Sequence, residues 1–172
     1  DRLALSCIMT IDNNGTVLDH EIMESIIKTN ERMTYTDVTK IIKDNDEELI
    51  KRYDYLVDDF KAMEELCNIL YKKRIKRGAI DFEFQEANII LNELGKPIEI
   101  KPYAREIANR MIEEFMLVCN ETIAEAMFYK KVPFVYRIHE NPDAEKLQKF
   151  KEFAYNLSNI HNSDPKRRVV NS

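Results

Sequence analysis

A long helical pattern from Arg105 to Lys131 is the feature that most constrains this chain, because the other elements must find places against it. The segment REIANRMIEEFMLVCNETIAEAMFYKK contains no glycine or proline. Its centre, FMLVC, is apolar on nearly every side, a pattern typical of a helix buried inside a domain. A second amphipathic helix is predicted from Leu56 to Arg77, with cations in its last turn and Gly78 as a C-cap candidate.

Strand patterns lie on both sides of these helices. LALSCIMTI and TVLDHEIMESIIKT flank the turn signal DNNG, and ANIILNELGKPIEI contains a second turn near NELG. Asn and Gly tolerate positive φ, so both segments predict β-hairpins. AIDFEF alternates like a strand, and VPFVYRIHE is typical of a buried one. The sequence therefore predicts the α+β class, with hairpins and mixed strands packed on a long central helix.

Three shorter helices complete the prediction. Thr34 or Thr36 is placed to cap a short helix over TDVTKIIK. DNDEELIKRY begins another helix, with acidic residues in the first turn where the helix dipole favours them. NPDAEKLQKFKEFAYNL starts with Pro142 and acidic residues, and it continues as an amphipathic helix.

Composition excludes several classes of protein. The 172 residues are 44% hydrophobic and carry a net charge of −5, which favours a folded domain and not a globally basic nucleic-acid binder. Only three glycines are present, so no glycine-rich phosphate loop is expected. No apolar run is long enough to cross a membrane, and no signal peptide is predicted. Free thiols in a reducing cytosol are expected for Cys7, Cys67 and Cys119, which indicates a cytoplasmic protein.

A metal site is not predicted from the histidines. His20, His139 and His161 are far apart in the sequence, and none has a partner at metal-ligand spacing. No Gly-x-Ser-x-Gly motif is present, which argues against a hydrolase of that type.

Polar and aromatic side chains near segment boundaries leave two interpretations open. Glu113 and Glu114 point about 100° apart, so only one can lie on the buried face of the helix. Such a carboxylate either pairs with Arg105 or Arg110 or is offered to a polar ligand such as a ribose hydroxyl. The basic turn YKKRIKRG is either a solvated helix end or a phosphate contact. The aromatic residues Tyr35, Phe82 and Phe84 are either core residues or platforms on which bases stack.

Five segments taken together resemble a known family. They occur in the order DRLALSCIMTID, ERMTYTDV, KKRIKRGAIDFEF, IANRMIEEFMLVCNETIAE and PFVYRIHENPDAEKL. This succession resembles the catalytic RNB domain of the ribonuclease II and ribonuclease R family, and is most similar to bacterial ribonuclease R. The resemblance covers residues 1 to about 155.

The resemblance implies a 3′–5′ exoribonuclease that hydrolyses single-stranded RNA processively and releases nucleoside monophosphates. It implies two metal ions, with Mg²⁺ expected in the full-length parent. The partner is the 3′ end of a single RNA strand, with its last bases stacked between aromatic side chains. No membrane partner is implied.

Three substrate-binding residues follow from the resemblance. Tyr35, in the TYT motif, matches an active-site tyrosine beside the terminal nucleotides. Phe82 matches an aromatic residue that stacks on the terminal base, and Phe84 is the alternative if the alignment shifts. Glu113 matches a carboxylate near the terminal ribose, whose hydroxyl groups distinguish RNA from DNA.

The chain also departs from the family pattern. The aspartate cluster that binds the metals in this family has no counterpart here, nor do the downstream arginine motif and the flanking RNA-binding domains. We therefore expect residues 1–160 to be the central part of an RNB-type domain, and residues 161–172 to be a disordered or non-native tail. No catalytic residue and no metal ligand is assigned to this segment, which alone is expected to be inactive. Self-association through exposed edges of the first hairpin is a further expectation.

A different class of function remains as the alternative. The chain can instead be a non-catalytic α+β module that binds RNA weakly or serves as a structural partner. The coding sequence upstream of Asp1 discriminates between the two, because the first predicts an aspartate cluster there and the second predicts a start codon.

Overall fold

A computed structural model describes residues 1–81, 86–103, 105–138 and 140–162. The chain divides into two compact units, Asp1–Phe134 and the residues from Val135 on. Helices and small antiparallel sheets make up the first unit, and most of the described residues of the second unit belong to one helix. The predicted α+β class is confirmed.

The first predicted hairpin is confirmed. Strands β1 (Arg2–Ile11) and β2 (Val17–Ile27) pair antiparallel. The Asp12 carboxylate accepts hydrogen bonds from the backbone N–H groups of Asn14 (2.9 Å) and Thr16 (2.7 Å), which closes the turn. Gly15 has a φ of +76° in this turn, a conformation that other residues adopt only with strain.

The helical segments that follow β2 are α1 (Tyr35–Thr39), a π-helical turn (Lys40–Asp44), α2 (Glu47–Arg52) and α3 (Asp54–Lys76). Of the two threonines proposed as caps, Thr34 is the one that caps α1. Asp46 caps α2 by accepting from the backbone N–H groups of Glu48 and Leu49. The helix predicted over Leu56–Arg77 is confirmed as α3, which begins two residues earlier and ends one residue earlier than predicted.

The second half of the chain contains another hairpin and two helices: β3 (Glu86–Leu91), β4 (Pro97–Tyr103), α4 (Ile107–Lys130) and α5 (Ala144–Asn162). The predicted turn near NELG is confirmed, and Gly95 within it has a φ of +73°. Residues 79–81 form no strand, and the rest of the predicted AIDFEF strand lies outside the described residues.

The core lies where α3 and α4 pack together under α1. Met111 of α4 and Cys67 of α3 are the most completely buried large side chains among the described residues. The buried residues that surround them are Val38, Ile41, Tyr53, Phe60, Ile107 and Ala108. The expected free thiol is confirmed for Cys67, which is buried, and burial raises the pKa of this thiol to about 11. Cys7 and Cys119 are half-buried free thiols.

Two expectations for the second half of the chain are wrong. The FMLVC centre of α4 is not buried all round, because Met116 and Leu117 are exposed while the buried stripe runs through Ala108, Met111 and Glu114. The neighbours of α4 in the described chain cover one side of it. VPFVYRIHE forms no strand over residues 132–138, where no described strand pairs with it, and His139 lies outside the described residues.

Candidate nucleic-acid interface

Tyr35 is the first residue of α1, and its position follows from the cap before it. The side-chain oxygen of Thr34 accepts a hydrogen bond from the backbone N–H of Asp37 (3.1 Å). The extended backbone of Thr34 turns the chain into the helix at this point. The side chain of Tyr35 is 46% exposed. Tyr35 is therefore an ordinary helix-start residue in its backbone, with an aromatic ring that solvent can reach.

An apolar groove of about 380 Å³ lies beside Tyr35. Its walls come from α1, α3 and α4, and they include Met33, Val38, Met63, Met111 and Ile112. No charged side chain lines it among the described residues. Aromatic and apolar surfaces of this kind suit the flat face of a nucleobase, since every base has a π-face that can stack.

Glu113 lies on α4, one residue beyond the groove residue Ile112, and it is 43% exposed. It forms an ion pair with Arg105, whose Nε donates to Glu113 Oε1 (3.1 Å) and Oε2 (3.0 Å) and whose Nη2 contacts Oε2. Of the two ion pairs considered from the sequence, the one with Arg105 is confirmed. Whether Glu113 also contacts RNA stays a prediction.

Glu114, and not Glu113, is the buried glutamate of the pair. It is 3% exposed and accepts hydrogen bonds from Arg74 of α3, with Arg74 Nη2 2.7 Å and Nε 2.9 Å from Glu114 Oε1. This link between α3 and α4 was not predicted. A signal existed in the sequence, because helical periodicity places position 114 on the same face as Ile107 and Met111.

Tyr71 joins the arginines of the two helices. The guanidinium carbons of Arg74 and Arg110 lie 5.3 Å and 5.0 Å from the centre of its ring. Both distances are within the range of a cation–π contact. One ring therefore contacts guanidinium groups from both helices, and Arg74 also binds the carboxylate of Glu114.

Arg105 also binds a second carboxylate. Its Nη1 donates to Asp81 Oδ1 at 2.8 Å. The hydrogen bond from Arg105 lowers the pKa of Asp81 below its usual range, and the bonds to Glu113 and Asp81 raise the pKa of Arg105. Asp81 therefore stays ionised to a lower pH than an unpaired aspartate does.

The basic turn at the end of α3 is largely engaged within the protein. Arg74 binds Glu114, and Arg77 binds Glu121 through Nη2 (2.6 Å) and Nη1 (3.1 Å). Lys73 Nζ donates to the backbone oxygen of Gly15 at 2.8 Å. These contacts favour the structural interpretation for three of the cations, and phosphate contact stays a prediction for the others, Lys72 and Lys76.

Phe82 and its alternative Phe84 lie outside the described residues. The structure thus brings Tyr35 and Glu113 to α1 and α4, two helices that pack together, and the third predicted residue lies outside the described ranges.

In the described part of the chain no three His, Cys, Asp or Glu side chains are grouped so as to hold a metal ion. Within the same ranges every helix is too short or too polar to traverse a lipid bilayer.

The fold and these side chains define a mixed α+β domain with an accessible aromatic residue over an apolar groove. A sequence profile of the RNB domain matches residues 1–171. The chain belongs to the RNB domain family.

Curated relatives agree with this assignment. The chain is 50% identical over 154 residues to ribonuclease R 1 of Lactococcus lactis, which covers 90% of this chain and 19% of the relative. It is 38% identical over 170 residues to ribonuclease R of Aquifex aeolicus, covering 96% of this chain and 24% of the relative. The chain therefore spans about a fifth to a quarter of the length of these relatives.

Solved structures show the same fold. The chain aligns with Mycoplasma genitalium RNase R in complex with double-stranded RNA, with a TM-score of 0.78, 30% identity, and coverage of 91% of this chain and 27% of that one. It also aligns with the same enzyme in complex with ribose-methylated single-stranded RNA, with a TM-score of 0.74 and 30% identity over 86% of this chain and 22% of that one.

Proposed function

We propose that this chain is a segment of a 3′–5′ exoribonuclease of the ribonuclease R type and that it contributes part of the surface that holds the RNA strand. The observation that supports this most directly is Tyr35, half-exposed above an apolar groove, in a domain whose solved relatives are RNase R bound to RNA. The parent acts processively on the 3′ end of single-stranded RNA, releases nucleoside monophosphates and works in the cytoplasm.

In the proposed parent enzyme, this chain binds the RNA strand and other parts of the protein cleave it. An aromatic ring over an apolar wall can stack on a base, and a half-exposed carboxylate can accept hydrogen bonds from ribose hydroxyl groups. Neither group cleaves a phosphodiester. Among the described residues no group of side chains is placed to hold a metal ion, and Mg²⁺ is assigned to the proposed parent.

A chain that supplies binding residues but no cleaving residues is predicted to bind RNA without degrading it. A labelled single-stranded RNA incubated with the chain and Mg²⁺ should stay intact on a denaturing gel. Accumulation of mononucleotides would contradict the proposed division.

Binding provides the sharper test. Tyr35→Ala removes the stacking surface. We therefore expect the binding free energy for a fluorescein-labelled single-stranded RNA, measured by fluorescence anisotropy, to weaken by about 1–3 kcal/mol. Tyr35→Phe keeps the ring and removes only the hydroxyl, and it should bind nearly as the wild type does.

Tyr129→Ala is the matched control. Tyr129 is an exposed tyrosine at the far end of α4, 17 residues beyond Ile112 and therefore about 25 Å along the helix. Its removal should leave RNA affinity unchanged. Equal losses for Tyr35→Ala and Tyr129→Ala would show a nonspecific effect, and no RNA binding by the wild type would favour a structural interaction module instead.

A further inference from the structure

Two of the three cysteines of the chain lie beside the contact between the first hairpin and α4. At that contact Thr122 Oγ1 of α4 donates to Met9 Sδ of β1 at 3.4 Å. Cys7 precedes Met9 by two positions on β1, and Cys119 precedes Thr122 by three positions on α4. Both cysteines are half-buried free thiols. Each therefore lies one step along its element from an observed contact between strand and helix.

The periodicities of the strand and the helix turn both thiols toward this contact. Alternate residues of a strand share a face, so Cys7 lies on the same face of β1 as Met9, whereas Ile8 between them is 59% exposed. Residues three apart share a face of a helix, so Cys119 lies on the same face of α4 as Thr122. Two residues of strand cover about 6.6 Å and three residues of helix about 4.5 Å, so contact at one pair of positions brings the other pair near.

The pKa of Cys7 indicates the same proximity. Burial raises the pKa of the Cys7 thiol, and the neighbouring Cys119 thiol raises it further. Side chains shift one another's pKa in this way over a few ångströms, so the two thiols are close neighbours. The third cysteine, Cys67, is 0% exposed in the core, where a small molecule in solution does not reach it in the folded chain.

We propose that Cys7 and Cys119 are a dithiol site that closes to a reversible disulfide between the first hairpin and α4 on reaction with a low-molecular-mass disulfide such as oxidised glutathione. One protein thiolate attacks a sulfur of that disulfide, which forms a mixed disulfide and releases one small thiol. The second protein thiol then loses its proton and attacks the protein sulfur of the mixed disulfide, which releases the second small thiol. The protein is oxidised by two electrons, the small disulfide is reduced to two thiols, and the two protons of the protein thiols end on the small thiols.

A bond at this site has a consequence for the fold, and it does not depend on the proposed function. It ties β1 covalently to α4 at the end of the hairpin that already contacts the helix. The hydrogen bond from Lys73 to Gly15 already holds the turn of the same hairpin to α3. Cys7 and Cys119 are 112 positions apart, and a crosslink over so long a loop restricts the unfolded chain strongly. The oxidised chain is therefore expected to resist urea better than the reduced chain.

The test treats the full 172-residue chain with oxidised glutathione. The incubation is at mildly alkaline pH, because the thiolate is the attacking species and the pKa of Cys7 is raised. We expect a mass loss of about 2 Da, since closing the bond removes two hydrogen atoms. The free thiols titrated in denaturant should fall from three to one. A non-reducing digest should give a linked pair of peptides that contain Cys7 and Cys119, and dithiothreitol should separate them.

The unfolded chain is the control for pairing by chance. Cys7 and Cys119 close the longest of the three possible loops, with 112 positions against 60 for Cys7–Cys67 and 52 for Cys67–Cys119. Loop closure becomes less probable as the loop lengthens, so the Cys7–Cys119 pair should be the least abundant in urea. Its dominance in the folded chain would therefore come from the fold.

Two single variants identify the partners. Cys7→Ser and Cys119→Ser each leave one thiol at the contact without a second thiol. Each variant should therefore take up one glutathione as a mixed disulfide and form no bond within the chain. Oxidation should raise the urea midpoint of the wild type, whereas it should raise the midpoint of neither variant.

Several results would overturn the proposal. A folded wild type that keeps three thiols, or that carries glutathione on both Cys7 and Cys119, does so, and so does a disulfide that contains Cys67 or links two chains. A lower urea midpoint for the oxidised wild type would show that the bond distorts the contact, and it counts against the proposal as well. If circular dichroism shows a serine variant to be unfolded, the digest of the wild type decides. None of these results bears on RNA binding at Tyr35, so the proposed function is tested separately.

Discussion

At the scale of single residues, the two adjacent glutamates of α4 have different surroundings because neighbouring helix positions point about 100° apart. Glu113 points to a half-exposed ion pair, and Glu114 points into the contact between α3 and α4. An ionised side chain with 3% exposure is tolerated only when its charge and hydrogen-bonding capacity are met, and Arg74 meets both.

This difference predicts unequal costs of removal. Glu114→Ala leaves Arg74 largely buried without its anion, so we expect the free energy of unfolding in urea to fall by about 3 kcal/mol. Glu121→Ala breaks an arginine pair on the same two helices that is more than half exposed, and it should cost less than about 1 kcal/mol. Equal costs would show that burial does not govern the Arg74–Glu114 pair.

At the scale of elements, the turn of the first hairpin is attached to α3. The backbone oxygen of Gly15 accepts a hydrogen bond from Lys73 Nζ, and a Cβ at this position would lie 3.3 Å from side-chain atoms of both Ile69 and Lys73. The turn of the second hairpin has the same left-handed glycine, but a Cβ on Gly95 would meet nothing within 4 Å.

The two glycines therefore form a matched pair for mutation. Gly95→Ala carries only backbone strain, about 1 kcal/mol. Gly15→Ala adds contacts that displace α3 side chains, so we expect a loss of about 2–3 kcal/mol in the free energy of unfolding. A urea titration of both variants measures the difference. If the two losses are the same, the first turn is not held closely against α3.

At the scale of the whole molecule, the two ends of the first hairpin have different surroundings, because one end contacts α4 and the other is exposed. Met9 of β1 accepts a hydrogen bond from Thr122 of α4 (3.4 Å), so this end of the strand packs on the helix. Leu3 and Leu5 lie on the same face of β1 as Met9 but are 89% and 81% exposed. Ile26, the partner of Leu3 across the hairpin, is exposed too.

This apolar end predicts self-association, as expected from the sequence. The double variant Leu3→Lys/Leu5→Lys should stay monomeric in sedimentation velocity at concentrations where the wild type associates, because charge on a strand opposes pairing. Leu94→Lys replaces an equally exposed leucine, 82% exposed, in the turn of the second hairpin, and it should associate as the wild type does. Association that persists in the double variant would place the contact elsewhere.

The sequence by itself determined the local structure. Turn signals with glycine predicted both hairpins, Thr34 was one of the two caps predicted for α1, and the period of apolar residues predicted the start of α3 to within two residues. These features depend on residues within a few positions of one another. The succession of motifs also identified the family, which the profile match confirmed.

Only the tertiary structure decided which side chains meet. Arg105 and Asp81 are 24 positions apart, and Arg74 and Glu114 are 40 apart, so their pairing depends on how α4 packs against α3 and the segment after it. For the same reason the apolar centre of α4 predicted complete burial, whereas its neighbours cover one side. Periodicity records which residues are apolar, but burial depends on what packs against them.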